Sequence, residues 1–67
     1  MVLTEEETAI AKFVVNGLKN VEIAEIMGYS EATVKKRLTV IYKKMNVFNR
    51  LQLITKFLSK KNISAQP

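Results

Sequence analysis

The 67-residue chain predicts an all-α fold of four helices, near residues 5–16, 21–27, 31–45 and 50–60. Three observations predict it. Apolar residues recur at spacings of three and four along nearly the whole chain, which is the repeat of one helix face. Thr4, Asn20, Ser30 and Asn49, whose side chains can accept from the free N–H groups of a helix start, each stand at the head of such a run. Gly17, Gly28 and Asn46, which tolerate the left-handed conformation that ends helices, stand at the close of the first three.

Thr4 followed by Glu7 forms a capping box at the first helix, whose Ala9, Ile10, Phe13 and Val14 share a face until Gly17 terminates it. Asn20 caps the second helix, which places Ile23, Ala24 and Met27 together and stops at Gly28. Ser30 caps the third, with Glu31 in its first turn facing the positive end of the helix dipole. Its apolar positions Val34, Leu38, Ile41 and Met45 are spaced by four, three and four. Asn49 with Gln52 resembles a second capping box, and Leu51, Leu53, Ile54, Phe57 and Leu58 follow. Residues 61–67 lack periodicity and are expected to form a frayed tail on a single domain spanning residues 1–67.

The segment from Gly17 to Arg50 sets a short helix, a glycine turn and a longer basic helix in succession. Two helices joined so tightly, with apolar faces turned to one core, match a helix-turn-helix, whose second helix enters the major groove of DNA. On a wheel of roughly 100° per residue, Ala32, Lys35, Lys36, Thr39 and Lys43 fall opposite Val34 and Met45. No acid lies on that arc. Ala32 permits close approach, while Lys35, Lys36 and Thr39 are long or polar groups able to reach base edges.

Charge is distributed to match. Residues 1–30 carry a net −3 and residues 31–67 a net +8, giving +5 for the chain. One end of the domain is therefore directed at a polyanion, of which a phosphate backbone is the commonest and an anionic membrane surface another. With no Cys and no His, disulfides and the usual zinc ligands are absent, and so is the commonest general base. There is no Gly-rich phosphate loop, so the sequence reads as no enzyme, with no cofactor, no metal and no small-molecule ligand in this domain. No apolar run approaches the roughly 20 residues of a membrane span, and the acidic N-terminus is unlike a signal peptide. A cytoplasmic location is the expectation.

Leu3, Thr4 and Glu7, the run Gly17-Leu18, Asn20, Glu22-Ile23-Ala24, Gly28, Ser30, Thr33-Val34-Lys35, Ile41-Tyr42, Lys44, Val47 and Arg50 together closely resemble the LuxR/FixJ-type helix-turn-helix domain. The resemblance covers nearly the whole chain in unbroken register. It implies a bacterial transcription regulator with a four-helix DNA-binding domain, commonly the C-terminal output module of a response regulator or quorum-sensing receptor. By position it makes Lys35, Lys36 and Thr39 of the third helix the base-reading residues. It also makes Asn20, Thr33, Lys43 and Lys44 the backbone-contacting neighbourhood, although Asn20 and Thr33 also suit capping alone.

Three positions depart from the family. Glu6 stands where Arg is usual, and the second acid of that motif falls on Ala9, so any ion-pair network there is weakened or rebuilt. Val21 stands where Lys is common, removing a phosphate contact. Arg37 replaces a frequent His on the flank of the recognition helix, a permanent charge within reach of a phosphate. Arg50, which the family shares, is expected to pair with Glu7.

The apolar positions of the fourth helix span an arc of roughly 160°, wider than one side of a small core requires. The resemblance implies that this helix forms a twofold dimer on DNA, through Leu51, Ile54 and Leu58, reading a pseudo-palindrome with half-sites about one turn apart. In dilute solution without DNA a monomer is expected. Two other classes compete: a domain of this shape used for protein contact, for instance with RNA polymerase or another regulator, and a basic amphipathic membrane-surface module. The last would need an apolar face free of tertiary partners.

Overall fold

The computed structural model describes residues 2–65, with side chains described as far as Ser59. Four helices make up the fold: α1 (Glu5–Val15), α2 (Asn20–Met27), α3 (Glu31–Met45) and α4 (Arg50–Ala65). Among the described residues there is no strand. The helices of the expected all-α architecture are all present, three of them within a residue of their expected bounds. The exception is α4. It continues to Ala65 where an end near residue 60 and a frayed tail were expected, and only Gln66 and Pro67 of that tail lie outside the described residues. The segment lacks an apolar stripe but contains no glycine or proline to interrupt the helix.

The ends of the helices follow local chemistry. Glu7 N donates to Thr4 Oγ1 at 3.1 Å while Thr4 N donates to Glu7 Oε1 at 2.8 Å, completing the capping box of α1. At α3, Thr33 N donates to Ser30 Oγ at 3.1 Å. The start of α2 differs from expectation. Lys19 occupies the cap position, so its side chain offers no acceptor; Glu22 Oε1 instead accepts from Lys19 N at 2.7 Å. Asn20 is thereby the first residue of the helix, one place beyond the cap expected of it. At α4, Gln52 N donates to Asn49 Oδ1, but the Gln52 carbonyl reaches past Asn49 to accept from Phe48 N, both at 2.8 Å.

Helix exits share one design. Leu18 N donates to Phe13 O, Tyr29 N to Ala24 O and Val47 N to Tyr42 O, each bond spanning the left-handed residues Gly17, Gly28 and Asn46. These six-to-one bonds satisfy carbonyls that the last turn leaves without partners. A Cβ at Gly28 would meet nothing within 4 Å, so its φ of +74° alone explains the glycine.

The core is formed by Ile10, Val14, Ile23, Ala24, Val34, Leu38, Ile41, Met45, Val47 and Leu53, with Leu3, Phe13, Leu18, Met27, Tyr29, Tyr42, Ile54 and Phe57 packed around it. All four expected apolar positions of α3 are buried. On α1, Ala11 is fully buried as well, although it lies off the expected stripe, whereas Ala9 is only half-buried. The reason is that α1 packs against both α3 and α4, so more than one stripe is covered, while α2 packs chiefly on α3.

Arg50 fastens the first residue of α4 to the turn between α1 and α2. Its Nη1 donates to Asn20 Oδ1 at 2.7 Å and its Nη2 to the Leu18 carbonyl. The expected pairing of Arg50 with Glu7 is therefore corrected: packing brings Arg50 to the backbone turn, and a different cation reaches Glu7.

Candidate nucleic-acid interface

With Val34, Leu38, Ile41 and Met45 fixed in the core, the opposite side of α3 is determined. Ala32, Lys35, Lys36, Thr39 and Lys43 are all exposed there. Lys35, Lys36 and Lys43 make no ion pair among the described residues. The Thr39 hydroxyl donates to the Lys35 carbonyl at 3.1 Å, which turns its oxygen back along the helix and leaves its methyl group for an outside surface. Thr33, half-buried at the helix start, has its Oγ1 3.0 Å from Ser30 Oγ and so belongs to the cap.

The two remaining cations of α3 lie toward α1 and are already occupied. Lys44 Nζ donates to Glu7 Oε1 at 2.8 Å, with only 23% and 10% of the two side chains exposed. Glu7 thus caps α1 and anchors α3 with a single carboxylate. The hydrogen bond from Lys44, then that from the Thr4 backbone, holds its carboxyl below the usual range. Lys44 was assigned to the DNA backbone by resemblance, and its first partner proves to be inside the domain.

Arg37 is drawn the same way. Its Nε stands 3.5 Å from Glu6 Oε1, and its guanidinium carbon lies 5.5 Å from the centre of the Tyr29 ring. Tyr29 donates its hydroxyl to the other oxygen of Glu6. That hydrogen bond, followed by burial, pushes the Tyr29 phenol up from its ordinary range. The network expected to be weakened or rebuilt around Glu6 is therefore rebuilt, with Arg37 and Tyr29 as its members. Tyr29 was not singled out in the sequence, because it lies 23 residues from Glu6 and no local pattern relates them.

On α4, Leu51 is 71% and Leu58 43% exposed, while Ile54 is half-buried against the core. Phe48, passed over in the sequence, is 86% exposed and borders the same outer surface as Leu51 and Thr55. Asn20 is half-buried with its carbonyl oxygen held by Arg50, so it faces the α4 start rather than standing free. No helix among the described residues is long and apolar enough to cross a membrane.

Two helices joined by a glycine turn, the second packed by one face and lined with lysine on the other, define the class of helix-turn-helix regulators. The comparison with known proteins narrows the class. Residues 1–57 match the profile of the family described as bacterial regulatory proteins, luxR family, and the chain belongs to that family. It is 36% identical over 55 residues to the probable transcriptional regulator ycf29 of Guillardia theta, covering 82% of this chain and 26% of that protein. It is 45% identical over 53 residues to the transcriptional regulatory protein YdfI of Bacillus subtilis (strain 168), covering 79% and 25% respectively. The chain thus spans about a quarter of the length of the curated relatives it matches. No solved structure matches it. Family membership makes this a DNA-binding domain of the kind used in transcription regulation.

Proposed function

We propose that the domain recognises a specific double-stranded DNA site by laying α3 in the major groove. The observation that carries this reading is the set of three exposed lysines on the outer face of α3 that make no ion pair among the described residues, with its other two cations engaged by acids of α1. A helix about 10–12 Å across fits a groove about 12 Å wide, which brings Lys35, Lys36 and Thr39 against base edges. Lys35 and Lys36 suit the acceptors of guanine, and the Thr39 methyl suits the methyl of thymine. Lys43 contacts phosphate, with Thr33 at the rim, and Asn20 lends its amide nitrogen because its oxygen is taken. Lys44 contributes least to phosphate contact, because Glu7 neutralises it.

Two copies bind together. Leu51, Leu58 and the exposed edge of Ile54 supply the twofold contact, setting half-sites one helical turn, about 34–36 Å, apart. The unit acts where bacterial DNA is, in the cytoplasm, as part of a regulator of transcription. A contact with RNA polymerase or another regulator is the alternative use of the same shape. The exposed apolar pair Phe48 and Leu51 would serve it, and binding would then survive Lys35→Ala and Lys36→Ala.

The test is an equilibrium titration of duplex DNA and of anionic phospholipid vesicles across a range of salt. Duplex binding should weaken with a slope of log affinity on log salt near −0.9 for each phosphate contacted. Binding to vesicles alone, or duplex binding indifferent to salt, overturns the reading. In vitro selection of duplexes then gives the motif, its symmetry and its spacing together.

A further inference from the structure

Glu6 and Glu7 are neighbours in the first turn of α1, and the cations they hold, Arg37 and Lys44, are two turns apart on α3. The two pairs differ in kind. Glu7 and Lys44 meet at 2.8 Å and are largely shielded from water. Glu6 and Arg37 meet at 3.5 Å with 34% and 48% of their side chains exposed, so that pair can exchange partners. The Glu6 carboxylate is nevertheless held in place, because its second oxygen accepts from the Tyr29 hydroxyl and the Tyr29 ring underlies the guanidinium.

Arg37 projects about 100° around the helix axis from Lys36. That direction lies beyond the edge of the lysine arc, on the side toward α1, and it is the length and half-exposure of the Arg37 side chain that let its guanidinium extend toward the phosphate wall on that side when the helix lies in the groove. A guanidinium takes carboxylate and phosphate oxygens with the same planar geometry. We propose that Glu6 is an intramolecular competitor for the DNA phosphate that Arg37 can reach, and that Tyr29 is the positioning residue that keeps Glu6 on Arg37. The inference rests on the reading of α3 as the groove helix. Its consequence is that the domain binds DNA more weakly, and with less salt dependence, than its count of cations implies. Release of Arg37 to a phosphate leaves the Glu6 charge uncompensated near the groove wall, which limits the gain. Lys44 is excluded from the same exchange by its shielding.

The experiment compares the chain with Glu6→Gln, which removes the charge and retains an acceptor for Tyr29. Binding to one duplex is measured by fluorescence anisotropy over a salt series, with circular dichroism confirming equal helix content. Glu6→Gln should raise affinity several-fold at low salt and steepen the log–log salt slope by about 0.9, the value for one added phosphate. Tyr29→Phe should give a smaller change of the same sign. Arg37→Ala should abolish the gain when combined with Glu6→Gln. Glu5→Gln, at an exposed acid with no ion pair among the described residues, controls for net charge and should leave the slope unchanged.

An unaltered slope in Glu6→Gln, or a gain that persists without Arg37, overturns the proposal while leaving DNA binding intact. Absence of salt-dependent duplex binding by the unaltered chain overturns the groove reading and this inference with it.

Discussion

One helix carries two kinds of basic surface. On the side of α3 that faces α1, Arg37 and Lys44 meet Glu6 and Glu7; on the side that faces outward, Lys35, Lys36 and Lys43 meet no acid among the described residues. The difference is one of angle around a single axis, since all five are basic residues within nine positions of one another. A cation near α1 gains an acid of the same chain as its partner, shielded at Lys44 and exchangeable at Arg37, whereas one pointing away retains an unsatisfied charge that an external polyanion can satisfy. Residue type alone therefore does not assign a role on this helix. Position relative to α1 does.

The sharpest way to break the comparison is to remove the packing that sets the angle. Leu38 is 3% exposed, and Leu38→Ala should destabilise the domain by about 2–5 kcal/mol, measured by chemical denaturation. A loss well under 1 kcal/mol would mean that α3 is not oriented by its core face. Next in size is the outward face itself. Lys35→Ala or Lys36→Ala should reduce discrimination between a selected and a random duplex by about 1–3 kcal/mol, whereas Lys43→Ala should weaken both about equally. Equal losses for all three would remove the division between base-reading and phosphate-contacting lysines.

The inward side is sharpened by pH. Glu7 has a carboxyl pKa lowered in the folded chain from an ordinary 4.5, so the stability that it adds is complete above that ordinary value. It is lost as pH falls through the depressed folded value. Thermal melts from pH 6 downward should therefore show a declining stability below about 4.5, and Glu7→Gln should be less stable at neutral pH with a shallower acid limb. An acid limb unchanged by Glu7→Gln would show that the α1–α3 pair contributes nothing. Smallest in its effect on the fold is Leu51→Ser on α4. Because Leu51 is 71% exposed, stability should change by no more than about 0.5 kcal/mol, while pairing of two copies on a palindromic duplex, followed by sedimentation, should weaken. Undiminished pairing would exclude Leu51 from the twofold contact.

Much of the fold was legible because its determinants are short in range. Val34, Leu38, Ile41 and Met45 announce their burial through spacing alone, and the outward arc follows from them by subtraction. Thr4 with Glu7, Ser30 with Thr33, and the left-handed Gly28 and Asn46 act within a turn or two of helix. Where local reasoning failed, two partners competed for one role: Asn20 gave up the cap to Lys19 and accepted from Arg50 instead. Ala11 was missed because α1 is covered from two directions, which a single stripe does not anticipate.

Sequence by itself determined that there are four helices, where the first three end, which face of α3 is buried and which basic residues line the other. Tertiary structure alone decided which cations are already taken. Glu7 finds Lys44 across 37 positions, Arg50 finds Asn20 across 30, and Tyr29 finds Glu6 across 23. Periodicity and capping are properties of neighbours three or four apart, and they are written in the chain. The meeting of an acid on one helix with a cation on another depends on the angle at which those helices cross, and that angle exists only once the core has formed.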